Sequence, residues 1–148
     1  MPHDRDEWLS RIKSAERELA SVQLATSRLL ADAEQDPGIL RKNLRIRDVR
    51  LAVEHVDATY IVRLFAEFES GLRSWWLVER ATEPRTEDLI NGVAARRRIA
   101  DDLTTDVHSV RDYRNSLVHE RDEFSKPIVP DEVRRRLCRF FAFLPLRW

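Results

Sequence analysis

Residues 53–76 read VEHVDATYIVRLFAEFESGLRSWW, and this stretch decides the fold that we predict. Its apolar residues recur every three or four positions, which is the spacing of a helix with a buried face. That stripe consists of Val53, Val56, Tyr60, Leu64, Phe68, Leu72 and Trp75, and it is widened by Ile61, Phe65 and Trp76. A helix that is apolar over so much of its circumference must be surrounded by other elements, so we predict that it is central.

Four further helices are predicted around it. The central helix itself extends over about 39–80, although its early part, RKNLRIRDVR at 41–50, is basic and forms a separate turn in one reading. A long first helix over about 4–34 has a seam with alternating spacings of four and three, formed by Trp8, Ile12, Ala15, Leu19, Val22, Thr26, Leu29 and Ala33. This seam either packs in the core or pairs with another helix. Shorter helices are predicted at about 86–100, 101–120 and 131–144, with Thr86 and Asp131 as N-caps.

The composition agrees with this pattern. Of 148 residues, 43% are hydrophobic and 35% are charged, as in helices with one buried and one solvated face. Only 3 Gly and 6 Pro occur, which leaves little turn chemistry for a sandwich or a barrel. We therefore predict a single all-α domain over residues 1–148, a bundle of about five helices with two long antiparallel ones.

Charge and cysteine content limit the partners and the compartment. The formal net charge is 0, with 26 basic and 26 acidic residues, so an RNA partner would have to be held by a local patch. Cys138 is the single cysteine, which excludes an intrachain disulfide. The charged N-terminus predicts no signal peptide, and no apolar run approaches 18 residues. We expect a cytoplasmic protein without a membrane partner.

The stretch with the most chemistry is RDYRNSLVHER at 111–121, late in the fourth predicted helix. On a helical wheel, His108, Asp112, Asn115 and His119 share one face, and Val107, Val110 and Leu117 share the other. Arg114 lies at the edge of the apolar face. On an ideal helix its direction differs from that of His119 by about 140°.

Arginine and histidine together suit phosphodiester chemistry without a metal. Histidine exchanges a proton near neutral pH, and arginine holds a phosphate through a planar fork of donors. The alternative is an ordinary solvated helix face. His3, His55, His108 and His119 form no zinc-ligand pattern with cysteine, and no Gly-rich phosphate loop occurs. We predict no metal and no cofactor.

Residues 114–119, RNSLVH, resemble the R-x4–6-H motif of HEPN domains in its common form R-N-x-x-x-H. Arg50 and His55 match the bare spacing too, but only Arg114 is followed by asparagine. In toxins of the HEPN–nucleotidyltransferase pairs a tyrosine typically stands two residues after the histidine. Here that residue is Arg121, so the resemblance does not extend to that subfamily.

The resemblance implies an all-α bundle of four or five helices and a metal-independent endoribonuclease of a toxin–antitoxin or anti-phage defence system. HEPN domains usually dimerise so that two motifs face one cleft, and many do not cut RNA. The implied partners are RNA (single-stranded or tRNA), a second copy of the chain, and an antitoxin or other protein.

Roles follow from the same resemblance. His119 would be the general base or acid, Arg114 would stabilise the transition state, and Asn115 would hold the loop or orient the histidine. Secondary candidates are Asp112 and His108 for orienting His119, Glu69 and Arg73 for lining the cleft, and Arg111, Arg121, Arg96 and Arg97 for contacting phosphate. Each of these also has a structural reading, as an ion pair or a solvated residue.

Two rival functions remain open at this point. One is a non-catalytic helical interaction or dimerisation module, in which the first helix pairs with a partner and Arg114 and His119 only bridge helices. The other is a catalytically silent HEPN partner that binds RNA or nucleotide.

Overall fold

The computed structural model describes residues 3–119 and 125–148 of the chain. It contains five α-helices: α1 Arg5–Gln35, α2 Ile46–Glu79, α3 Thr86–Arg97, α4 Asp101–His119 and α5 Pro130–Phe141. A short 3-10 helix, Pro37–Ile39, follows α1. The prediction of an all-α bundle of about five helices in one domain, with two long antiparallel helices, is confirmed. No helix in the described ranges is long and apolar enough to cross a membrane.

The central position of α2 is also confirmed. Phe65, Phe68 and Leu72 are fully buried, and each fully buried side chain of this size contributes about 1.5–3 kcal/mol. Four neighbouring helices cover α2 with buried residues, namely Trp8, Ile12 and Ala15 of α1, Leu89, Ile90 and Val93 of α3, Val107 and Val110 of α4, and Val133, Leu137, Phe140 and Phe141 of α5. The first half of the α1 seam therefore lies in the core of its own chain.

Several helix starts differ from the prediction. α2 begins at Ile46 rather than near Ile39, because residues 41–44 form a turn in which the Leu44 N–H donates to the Arg41 carbonyl at 2.8 Å. Thr86 is the first residue of α3 and not its N-cap. α5 starts at Pro130, whose fixed φ suits a first helical position, so Asp131 lies inside the helix. The predicted end of the fourth helix, near Glu120, lies outside the described residues.

The hairpin of α1 and α2 extends beyond the core. At 31 and 34 residues the two helices are about 46 and 51 Å long. Gln23 Nε2 donates to Asp57 Oδ1 at 2.7 Å, and Arg50 Nη2 donates to Glu34 Oε1 at 3.2 Å farther out. Ala33 and Val49 are buried along this part, whereas large apolar side chains such as Leu24 and Leu51 are exposed. The far end of the hairpin is held mainly by contacts between its own two helices.

Gly71 allows α5 to approach α2 closely. A Cβ atom at this position would lie 2.6 Å from two ring atoms of Phe141 and 3.1 Å from Trp8. We therefore expect Gly71→Ala to lower the free energy of unfolding by about 1–3 kcal/mol, as overpacking does in a filled core. Ser70→Ala, at the exposed neighbouring position, is the control and is expected to change it by less than about 0.5 kcal/mol. Urea denaturation measures both, and equal stability of the two variants would contradict this packing.

Candidate functional site

Residues 111–119 of the candidate stretch form the last turns of α4. Leu103, Val107 and Val110 bury the first part of this helix in the core. Tyr113 and Leu117 are partly buried against the core, and His119 is exposed at the last helical position. The helix therefore passes from the core to the surface within the predicted motif.

Arg114 packs its guanidinium against a core aromatic ring. Its Cζ lies 5.7 Å from the centroid of the Phe65 ring, within the range of a cation–π contact. Its Nη1 donates to Asn115 Oδ1 at 3.0 Å. Its Nε is buried and has no hydrogen-bond partner within the described part of the chain. Because a guanidinium carries five N–H donors, Arg114 retains donors for which residues 3–119 and 125–148 supply no hydrogen-bond acceptor.

The structure places Asn115 in contact with Arg114 but keeps Arg114 and His119 apart. No hydrogen bond joins Arg114 to His119 among residues 3–119 and 125–148. The helix separates their Cα atoms by about 7.5 Å of axial rise. Arg114 thus lies over Phe65 with Asn115 hydrogen-bonded to it, and His119 is exposed more than one turn farther along the helix.

His108 and Asp112, the two candidates for orienting His119, have other partners. The ring Nε2 of His108 lies 2.7 Å from Asn91 Oδ1 of α3. Asp112 accepts from Arg111 Nη2 at 2.9 Å, and Arg111 also pairs with Glu87 at 2.9 Å. These contacts join α4 to α3 and hold α4 in position without reaching His119.

Burial lowers the pKa of His108 below its ordinary value, and the nearby Arg111 lowers it further. If Nε2–H donates to Asn91, the buried Nδ1 stays unprotonated, because it has no partner in the described structure that could accept its proton.

The lowered pKa of His108 predicts a loss of stability on mild acidification. Because the native pKa is below the unfolded value of about 6.5, the stability from neutral His108 is complete above that pH and is lost as the pH falls toward the native pKa. His108→Gln keeps a donor for Asn91 and cannot titrate. We expect its free energy of unfolding to fall less than that of the parent protein between about pH 7.5 and 5.5. Equal pH dependence in chemical denaturation would contradict this account.

Glu69 and Arg73, proposed from sequence as lining residues, form a network with the connection between α2 and α3. Arg73 Nη2 donates to Glu69 Oε1 at 2.7 Å, and Arg73 Nη1 donates to the Pro84 carbonyl at 2.9 Å. The Thr86 hydroxyl donates to Glu69 Oε1 at 2.8 Å. Thr86, predicted as a helix cap, thus makes a tertiary bond that sequence reasoning missed. None of these hydrogen bonds extends to Arg114 or His119.

The candidate phosphate-binding arginines of the bundle are largely occupied. Arg96 pairs with Glu79 at 2.9 Å and lies over the Trp76 ring at 5.9 Å. Arg97 Nε donates to the Phe143 carbonyl at 2.8 Å. Arg111 has the two acidic partners described above, and Arg121 lies outside the described residues. An RNA partner would have to compete for these three side chains.

A polar cavity of about 650 Å³ lies between α4, α5 and the segment before α5. Its lining includes Asp106, Ser109, Asp112, Lys126 and Arg136. No sequence pattern predicted this cavity, because its wall combines residues from separate segments of the chain. Arg114, Asn115 and His119 do not line it. Within the described residues, no three His, Cys, Asp or Glu side chains cluster as metal ligands.

The position of Arg114 predicts that its charge contributes little to folding. Arg114→Met keeps the apolar stem over Phe65 and removes a partly buried, incompletely bonded guanidinium. We expect the free energy of unfolding to change by less than about 1 kcal/mol, in either direction. A loss of more than about 2 kcal/mol would instead identify Arg114 as a bridge between helices.

Arg111→Met is the matched control for that variant, because it removes an ion-paired arginine from the same helix. Its partners are exposed, so we expect it to cost about 0.5–1 kcal/mol. Thermal and urea unfolding of the two variants measure whether the ion-paired Arg111 contributes more to stability than the incompletely bonded Arg114.

The comparisons with known proteins identify no relative. No protein-family model matches the chain, no curated protein matches its sequence at a significant level, and no solved structure matches its fold at a significant level.

Proposed function

We propose that this protein is a metal-independent endoribonuclease of the HEPN type that acts as a homodimer on RNA. One observation carries the proposal: Arg114 sits half-buried on Phe65 with unused donors, beside Asn115 and one turn before the exposed His119. A guanidinium that keeps donors for a ligand is suited to binding a phosphate, and a solvent-accessible imidazole is suited to moving a proton. The late position of the motif in a five-helix bundle agrees with the resemblance to HEPN domains.

The proposed reaction is an internal transesterification. A ribose 2′-oxygen attacks the adjacent phosphorus while His119 takes the 2′-hydroxyl proton. The bond from phosphorus to the 5′-oxygen breaks, and that oxygen receives a proton from a protonated histidine or from water. Arg114 stabilises the charge on the phosphorane-like transition state. The products are a 2′,3′-cyclic phosphate and a 5′-hydroxyl end, so no electrons are transferred and no cofactor is consumed.

Dimerisation follows from the separation of the two residues. A single α4 directs Arg114 and His119 about 140° apart, so one copy does not by itself present both to one phosphate. A second copy would add a second histidine, so that one could act as base and the other as acid. Val118, which is 45% exposed beside His119, offers an apolar contact at this end of the helix. An antitoxin or other protein partner would compete for the same surface.

A non-catalytic interaction module is the second candidate, and the far end of the α1–α2 hairpin favours it. Leu24, Leu29 and Leu51 are 55%, 39% and 48% exposed there. Exposed leucines on a projecting pair of helices are typical of surfaces that bind another helix. Under this reading Arg114 and His119 have no chemical role.

RNA cleavage in EDTA tests the proposal. The unaltered protein, His119→Ala and Arg114→Met would be incubated with total tRNA and with a single-stranded oligomer. We expect cleavage by the unaltered protein and a loss of about 10²–10³-fold in each variant, as is typical when a proton-transfer group or an oxyanion-stabilising group is removed.

His55→Ala is the control, because Arg50 and His55 match the same spacing while Arg50 is paired with Glu34. We expect it to cleave like the unaltered protein. Activity that survives His119→Ala, or that His55→Ala removes equally, would overturn the assignment. A complete lack of cleavage at high protein concentration would favour the interaction module.

A further inference from the structure

Some basic residues of this protein are held in ion pairs or hydrogen bonds, and others are not and can bind a polyanion. With a net charge of 0, the chain cannot attract RNA through bulk charge. The bundle arginines near α4 are engaged, as described for Arg96, Arg97 and Arg111. A binding surface for phosphates is favoured where several unpaired cations lie close together in the chain.

The tip of the α1–α2 hairpin supplies such cations. Residues 39–50, which we call the hairpin tip, carry five basic side chains and one acidic one, Asp48. The basic residues, all exposed, are Arg41, Lys42, Arg45, Arg47 and Arg50. Arg47 lies 3.9 Å from Asp48, and Arg50 pairs with Glu34 at 3.2 Å. No ion pair or side-chain hydrogen bond engages Arg41, Lys42 or Arg45 within the described chain.

The backbone of the hairpin tip is held by local hydrogen bonds. The Leu44 N–H donates to the Arg41 carbonyl at 2.8 Å, and the Arg45 N–H donates to Asp48 Oδ2 at 2.9 Å. Asp36 Oδ1 accepts from the Gly38 N–H at 3.0 Å and starts the 3-10 helix. The cations therefore project from an ordered turn, which reduces the entropy that binding would cost.

The distance to the candidate site fits one RNA strand. Arg47 and Phe65 lie on the same helix, 18 residues and thus about 27 Å apart. That length corresponds to about 8 nucleotides at the 3.4 Å spacing of a stacked, duplex-like strand, and to fewer nucleotides of an extended single strand. A strand whose scissile phosphate lies at Arg114 could place its flanking phosphates at the hairpin tip.

We propose that the hairpin tip binds the phosphate backbone of RNA through Arg41, Lys42 and Arg45 and so holds the strand that flanks the α4 site. This proposal rests on RNA being the ligand of the proposed function, but it does not depend on cleavage. Four of the five tip cations are arginines, whose planar donor forks match phosphate oxygens. Recognition of this kind is independent of base sequence.

The test measures RNA binding by fluorescence anisotropy in the His119→Ala background, which prevents cleavage. The tip variant is Arg41→Gln/Lys42→Gln/Arg45→Gln. The control, Arg80→Gln/Arg85→Gln/Arg139→Gln, removes the same charge from exposed positions outside the tip. The probes are a labelled 20-nucleotide RNA and a 3-nucleotide RNA, which is too short to span about 27 Å even when its strand is fully extended.

We expect the tip variant to bind the 20-nucleotide RNA at least about tenfold more weakly at low salt, and the control to change little. The slope of log K against log salt should fall by about 2, which is three contacts at about 0.7 each. The advantage of the longer RNA over the shorter one should disappear in the tip variant alone. Circular dichroism melting of both variants checks that they fold.

Three results would overturn the proposal: equal losses in the tip variant and the control, unchanged RNA binding by the tip variant, or tip-dependent binding of anionic phospholipid vesicles with unchanged RNA binding.

The failure of the proposed nuclease function can be distinguished from the failure of the proposed RNA binding by the hairpin tip. If the protein binds RNA through the hairpin tip but never cleaves RNA, the RNA-binding role of the tip is supported and the endoribonuclease function is refuted. If cleavage depends on His119, and the tip substitutions change neither cleavage nor RNA binding, the endoribonuclease function is supported and the RNA-binding role of the tip is refuted.

Discussion

The burial of the central part of α2 is the constraint on which the rest of the structure depends. Phe65, Phe68 and Leu72 are fully enclosed, and no single neighbouring helix could cover so wide an apolar surface. α1 and α5 close one part of it, and the approach of α5 requires a residue without Cβ at Gly71. α3 approaches in the same way, since a Cβ at Gly92 would lie 2.6 Å from Trp76. The positions of the shorter helices are consequences of covering α2.

The same packing of helices on α2 determines the position of the candidate site. α4 must cover α2, and in doing so it places Arg114 over Phe65, so a core residue forms the floor beneath the guanidinium. The contacts of Arg111 with Glu87 and of His108 with Asn91 fix the rotation of α4 from the other side. Arg114 therefore receives its position from residues that need no chemical role, which leaves its own charge free to act on a ligand. In a preorganised site, surrounding residues hold the functional side chain in place in this way.

Much of the fold was predictable because it follows from periodicity. The stripe from Val53 to Trp75 identified the central helix, and the seam from Trp8 to Leu19 identified its main neighbour. The late start of α2 was predicted only by the alternative in which residues 41–50 form a separate turn, and a turn does occupy residues 41–44. The start of α5 was misplaced, because a proline takes the first helical position and Asp131 is not the N-cap.

Only the spacing of the candidate residues along α4 was predictable from the sequence, and their contacts with other helices were not. The wheel placed Arg114 at the edge of the apolar face, but it could not reveal Phe65 beneath it, because that contact joins residues far apart in sequence. For the same reason it could not distinguish paired arginines from free ones. Arg96 and Arg111 were predicted to contact phosphate, but they pair with Glu79 and Glu87. Arg41 and Arg45 were not singled out by the sequence, and no ion pair engages them within residues 3–119 and 125–148. Ion pairing between helices is set by tertiary packing and not by local spacing.

The central claim is that the end of α4 performs phosphodiester chemistry without a metal, and the chemical nature of the product ends tests it most directly. Mass spectrometry of the fragments from one defined RNA oligomer, produced in EDTA, distinguishes the possible reactions. The account predicts fragments with a 2′,3′-cyclic phosphate and matching 5′-hydroxyl ends, and none from the same oligomer with 2′-deoxyribose throughout. Fragments with 5′-phosphate and 3′-hydroxyl ends, or equal cleavage of the deoxy oligomer, would contradict it.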